Sequence, residues 1–72
     1  MKRVFELEEL ECAHCAMKME EAIRKIEGVT SASINFLSQK LVIEAEEKDF
    51  PEIIKRAQKE IKKVERACRI VL

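Results

Sequence analysis

The chain has 72 residues, 47% of them apolar and 39% charged, with 14 basic and 14 acidic side chains that cancel. That describes one small domain over residues 1–72, with enough apolar mass for a core of its own and no need of a metal or disulfide staple. A balanced surface with three Phe and no Tyr or Trp argues against nucleic acid as a partner, and no apolar run approaches the roughly 20 residues that insert across a bilayer.

Residues 3–10 form the first predicted strand, with Phe5 and Leu7 on one face and Glu6 and Glu8 on the other, which faces water. The opening Met1-Lys2-Arg3 is basic but meets glutamate at once, so it does not read as a secretory signal. Three cysteines, an odd count, then point to free thiols in a reducing cytoplasm and not to a disulfide framework. Glu11-Cys12-Ala13-His14-Cys15 places two of those thiols where a strand hands over to a helix. Over residues 15–27, Ala16, Met19, Ile23 and Ile26 make one apolar stripe at helical spacing. Gly28, the only glycine, stands where a left-handed C-terminal cap is expected, and Lys25 suits the negative end of the helix dipole.

Residues 29–36 predict a second strand, with Ala32, Ile34 and Phe36 pointing one way. Leu37-Ser38-Gln39-Lys40 is short enough for a hairpin turn, and Leu41, Ile43 and Ala45 continue as a third strand. Asp49, with Pro51 and Glu52 after it, is expected to cap a second helix whose stripe is Phe50, Ile53, Ile54, Ala57 and Ile61. Lys55, Arg56, Lys59, Lys62 and Lys63 give that helix a solvated basic face. A last strand from about residue 65 puts Cys68, Ile70 and Leu72 together, and the chain stops on it without a tail, as a piece trimmed from a longer protein would. Strand, helix, strand, strand, helix, strand, joined by right-handed crossovers, gives an α+β, ferredoxin-like βαββαβ sandwich: a four-stranded antiparallel sheet with two helices on one face.

Cys12 and Cys15 can bring two sulfurs to one ion because a loop followed by one helical turn curls them together. Cys15, at the helix N-terminus, is the thiol expected to ionise. A thiolate pair is a soft site that suits Cu(I), Zn(II) or Cd(II) and repels Mg(II) and Ca(II). Two protein ligands leave the ion open, which is poor for a structural site and good for passing the metal on. Two other readings compete. A thiol-disulfide oxidoreductase also starts a helix with CxxC, but no Trp precedes this motif, no Pro lies between the thiols, and Pro51 sits in a helix's first turn. A structural zinc shared between chains, or completed by His14 and Cys68, is unnecessary to a fold that needs no staple.

Phe5-x-Leu7-x-x-Leu10-x-Cys12-x-x-Cys15, followed by Met19, Glu20, Ala22-Ile23, Ile26, Gly28-Val29 and Ala32-x-Ile34-x-Phe36, resembles the heavy-metal-associated domain. That family comprises copper chaperones and the cytosolic N-terminal domains of metal-transporting P-type ATPases. The resemblance runs through most of the chain. It implies the same βαββαβ fold, no catalysis by the domain itself, and a soft metal ion bound by Cys12 and Cys15 and passed by ligand exchange to a partner with a similar site. The partner is then a metal-transporting P-type ATPase in cis or a metal donor protein, met by a monomer that does not enter the membrane.

The chain departs from the family's copper pattern, Gly-Met-x-Cys-x-x-Cys. Glu9 replaces the glycine, Leu10 the methionine, and Glu11 precedes Cys12; the loop Lys62-Lys63-Val64-Glu65 has no Gly-Phe or Gly-Tyr. Leu10 is expected to pack inward as the methionine does. The acid before Cys12 resembles the Asp-Cys-x-x-Cys form of zinc-, cadmium- and lead-exporting ATPases. Cu(I) is content with two thiolates, whereas Zn(II) and Cd(II) carry two charges and gain from a carboxylate oxygen. Glu11 is therefore the candidate third ligand, Zn(II) or Cd(II) the favoured cargo and Cu(I), carried by a free-standing chaperone, the alternative. Among the remaining donors, His14 is expected to tune the thiols from solvent, Met19 to be core, Met17 to lie off the stripe beside the loop and Cys68 to be a buried structural thiol. Lys62 and Lys63 are expected in solvent.

Overall fold

Alternation at period two and apolar stripes at period 3.6 sort the chain into the elements expected. The computed structural model describes residues 1–71; Leu72, expected on the inner face of the last strand, lies outside the described residues. The elements are β1 (Lys2–Glu8), α1 (Ala13–Arg24), β2 (Val29–Asn35), β3 (Lys40–Ala45), a 3-10 turn (Glu47–Asp49), α2 (Phe50–Val64) and β4 (Arg69–Val71). The sheet order is β2-β3-β1-β4 with every pairing antiparallel. β1 is central, with Phe5 opposite Leu41 and Leu7 opposite Ile70. This is the βαββαβ sandwich expected from the pattern of elements.

The core is one continuous cluster. Phe5, Leu7, Ala32, Leu41, Ile43 and Ile70 contribute the inner face of the sheet; Ala16, Met19 and Ile23 come from α1, and Phe50, Ile53, Ala57 and Ile61 from α2. The opposite face carries Glu6 and Glu8 into water, and Glu8 pairs with Arg69 at 2.8 Å across β1 and β4. Among the described residues no helix is long and apolar enough to cross a membrane.

Both free edges of the sheet are closed by helix side chains. On β2, Arg24 Nε donates to the Ala32 carbonyl at 2.9 Å, and Glu20 Oε2 accepts the Ile34 N–H at 2.8 Å. Those two side chains pair with each other at 3.0 Å along one turn of α1. On β4, Gln58 Oε1 accepts the Ile70 N–H at 2.9 Å. Unpaired strand edges are templates for another chain, so these bonds remove backbone groups that would otherwise invite it.

Four local expectations need correcting. β1 stops at Glu8 because Glu9 adopts a left-handed φ of 62°, which turns the chain out of the sheet and sends Leu10 into the core with no exposure. Gly28, at φ 98°, does not cap α1; the cap is Lys25, and Gly28 occupies the third position of a turn closed by Val29 N–H to the Ile26 carbonyl at 3.1 Å. Asp49 makes no capping hydrogen bond, because the 3-10 turn before α2 already holds it in a helical conformation. β4 starts at Arg69 and not near residue 65, because α2 runs to Val64 and a turn from Glu65 to Cys68 takes up the intervening chain.

Candidate metal centre

The turn at Glu9 and the burial of Leu10 deliver Glu11 and Cys12 to the start of α1. Cys12 is the N-cap residue, extended at φ −132° and ψ 116°, and its Sγ accepts the Cys15 N–H at 3.1 Å. Its carbonyl accepts the Ala16 N–H at 3.0 Å, the first bond of the helix. The thiol thus fills the place usually held by a hydroxyl or carboxylate oxygen. Cys15 lies in the first turn, half-buried and packed against the core, and both thiols are free and partly exposed.

Their proton equilibria are opposed. Cys12 is held below the ordinary thiol value by the hydrogen bond from the Cys15 thiol, helped by the backbone N–H groups of Cys15 and His14. Cys15 is pushed up to about 11, first because its S–H donates to Cys12, then by burial and by the charge on Cys12. The expectation that Cys15 is the readily ionised sulfur is therefore reversed. Helix N–H groups do favour thiolate, but they converge on the capping sulfur, and the sulfur inside the first turn keeps the shared proton. The two titrate as a pair.

A residue that sequence reasoning left in the last strand now enters the site. Glu65, half-buried in the loop between α2 and β4, raises the proton affinity of Cys12 and Cys15 through its charge. The available signal was topological: this loop must end beside β1 because β4 pairs with it. Glu11 is exposed beside Cys12. His14 turns its side chain to solvent and gives only its backbone N–H to Cys12. Met17 is 65% exposed, whereas Met19 and Cys68 are fully buried in the core as expected. Burial pushes the Cys68 thiol up, which suits a neutral packing group. Lys62 and Lys63 are exposed, and Lys63 pairs with Glu60 at 3.3 Å.

The loop is also tied from the neighbouring β2–β3 hairpin. Gln39, in the β2–β3 turn, accepts the Leu7 N–H on its carbonyl at 2.8 Å and donates its side-chain amide to the Leu10 carbonyl. Chemically, the site offers one thiolate-leaning sulfur, a second sulfur holding a proton, a nearby carboxylate and an open approach. Among the described residues no three Cys, His, Asp or Glu side chains form a ready cage. Two sulfurs fall short of the four ligands of a closed structural zinc site.

Known proteins resemble this chain in sequence and in fold. A "Cadmium, zinc and cobalt-transporting ATPase" of Bacillus subtilis (strain 168) is 26% identical over 65 residues, covering 90% of this chain. The chain spans 9% of the length of that ATPase. "Copper chaperone CopZ" of Enterococcus hirae is 32% identical over 47 residues, which is 65% of this chain and 68% of that protein. Among solved structures, the Cu(I)-loaded N-terminal domain of a potential copper-translocating P-type ATPase from Bacillus subtilis superposes with a TM-score of 0.74 at 27% identity, covering 99% of this chain and 84% of that one. Residues 4–67, from within β1 through the Glu65 loop, match the profile of the Heavy-metal-associated domain. The paired thiols at the head of α1 and the sandwich that presents them therefore belong to a member of the heavy-metal-associated domain family, a metal-binding domain.

Proposed function

We propose that Cys12 and Cys15 bind one soft heavy-metal ion, Zn(II) or Cd(II) in preference to Cu(I), and that the domain delivers or senses this ion for a metal-transporting P-type ATPase as its cytosolic N-terminal domain. The observation that carries this reading is the pair itself: an N-cap thiol that accepts the Cys15 N–H and a first-turn thiol beside it, both free and partly open to solvent, with the charge of the half-buried Glu65 felt by both. A divalent ion gains from a carboxylate oxygen beside two sulfurs, and Cu(I) does not. Glu65 stands first as the oxygen donor and Glu11, exposed beside Cys12, stands second. The domain's part is binding and transfer, not catalysis.

Capture starts at Cys12, whose sulfur needs least to become thiolate, and the Cys15 proton leaves as the second bond forms. Release runs the other way. A thiolate of the partner adds to the ion as Cys15 leaves it and takes a proton from solvent, and a second partner ligand then displaces Cys12, whose freed thiolate accepts the Cys15 S–H. The open approach permits this exchange without unfolding the loop. The likeness to a copper chaperone 68% covered by the match supports the second reading, a free-standing Cu(I) metallochaperone.

The test is a competition titration with Cd(II), Zn(II) and Cu(I) on the wild type, Cys12→Ser, Cys15→Ser, Glu65→Gln and Glu11→Gln. Either serine variant should abolish tight binding of all three ions. Glu65→Gln should weaken Cd(II) and Zn(II) by about 10-fold, the scale of a lost supporting group at a metal site, and leave Cu(I) unchanged. Divalent affinities untouched by both glutamine variants, with Cu(I) bound tightest, would replace this reading with the copper one.

A further inference from the structure

Glu9 at φ 62° and Gln39 at φ 55° are the non-glycine residues with positive φ among the described residues. Left-handed backbone is unfavourable for side chains of this size and persists where surrounding bonds over-determine it. These two strained positions meet at one junction. Gln39 holds both flanks of the Glu9 turn, through Leu7 N–H to its carbonyl at 2.8 Å and through its amide to the carbonyl of Leu10. Only the amide nitrogen can donate to that carbonyl, so the partner fixes the orientation of the side chain. Leu10 has no exposure and lies two residues before Cys12, so its carbonyl is the last anchored group before the N-cap sulfur.

We infer that Gln39 is a positioning residue for the metal loop: from a turn distant in sequence it pre-sets the path through Leu10 that makes Cys12 the cap of α1. The inference rests on Cys12 and Cys15 being the ligands. A loop held in its binding shape before the ion arrives loses less freedom on binding, which raises affinity without a new contact to the metal. The plainer role, closing the β2–β3 turn, makes the opposite prediction for one substitution. A glycine in place of Gln39 would suit the left-handed turn better than glutamine does, yet has no amide to offer.

The experiment therefore compares wild type with Gln39→Gly and Gln39→Met, the latter close in size and unable to donate. Three readouts are taken: thermal midpoint, Cd(II) affinity against a competing chelator, and the ratio of Cys12 to Cys15 alkylation rates in the metal-free protein. The expected result is a midpoint for Gln39→Gly at or above wild type, Cd(II) binding weakened about 3- to 10-fold in both variants, as for one lost net hydrogen bond, and an alkylation ratio moved toward one. Unchanged Cd(II) affinity or an unchanged ratio in both variants overturns the inference. A wild type that binds no Cd(II) overturns the reading of the site instead, and the ratio alone then judges whether Gln39 shapes the loop.

Discussion

Cys12 combines two jobs that proteins usually give to different residues. As the N-cap it accepts the Cys15 N–H, and as a sulfur it is the softer, more ionisable end of the pair. Cysteine is not a usual capping residue, so the pattern of residues pointed to the helix N-terminus in general and selected Cys15, one turn too far along. In metal-free protein near pH 7.5, alkylation should modify Cys12 well before Cys15, because the thiolate is the reacting form and Cys15 is pushed up to about 11. Raising the pH through that value should bring Cys15 into reaction and narrow the difference. Peptide mapping by mass spectrometry reads both sites; equal labelling at neutral pH would contradict the proton arrangement. Leu10 was legible as an inward residue, and its burial is complete. Leu10→Ala should destabilise the fold by about 2–5 kcal/mol, the range for emptying such a site, measurable by denaturant unfolding. Glu65 and Gln39 were not legible, since both reach the thiol loop from turns brought close only when the sheet forms.

At the level of elements, the stripes on α1 and α2 and the alternation in β1 and β3 carried the fold from sequence alone. The ends of elements did not follow so directly. Gly28 looked like a helix cap because it follows the α1 stripe, but the chain first makes a separate turn that needs its φ of 98°. Adding a Cβ there would place it 3.4 Å from Ile53 Cδ1 as well as straining the backbone. Gly28→Ala should therefore destabilise by about 1–2 kcal/mol, mostly through the left-handed conformation, and leave metal binding at the far end untouched. The edge bonds of Glu20, Arg24 and Gln58 were equally hidden, because a surface salt-bridge pattern on a helix says nothing about the strand beyond it. Removing both partners on β2, as Glu20→Ala with Arg24→Ala, frees the Ala32 carbonyl and the Ile34 N–H. The double variant should self-associate with rising concentration where the wild type does not, as light scattering behind a sizing column would reveal.

Over the whole molecule, three loops converge on one end: β1–α1 with the thiols, β2–β3 with Gln39 and α2–β4 with Glu65. A 72-residue chain has little stability in reserve, so an ion gripped by this end should stabilise the entire fold. At Cd(II) 100-fold above its dissociation constant the gain is about 2.7 kcal/mol. For a domain of this size that raises the unfolding midpoint by about 10–20 °C. Calorimetry with and without Cd(II) checks this, and Cys12→Ser should erase the shift while keeping the metal-free midpoint within a few degrees. The balanced charge and the absence of aromatic platforms, both read from composition, fit a molecule whose specificity is gathered at that single end and not spread over its surface.

The closed borders of the sheet bear on how long any encounter lasts. Strand addition zips several backbone bonds in succession and is slow to undo, so an open sheet border favours long-lived association. With Glu20 and Arg24 on one border and Gln58 on the other, three backbone groups that such a zipper would use are already bonded. The side chains that guard the sheet thereby weigh against slow strand-to-strand locking, which suits the brief exchange proposed for the thiol end.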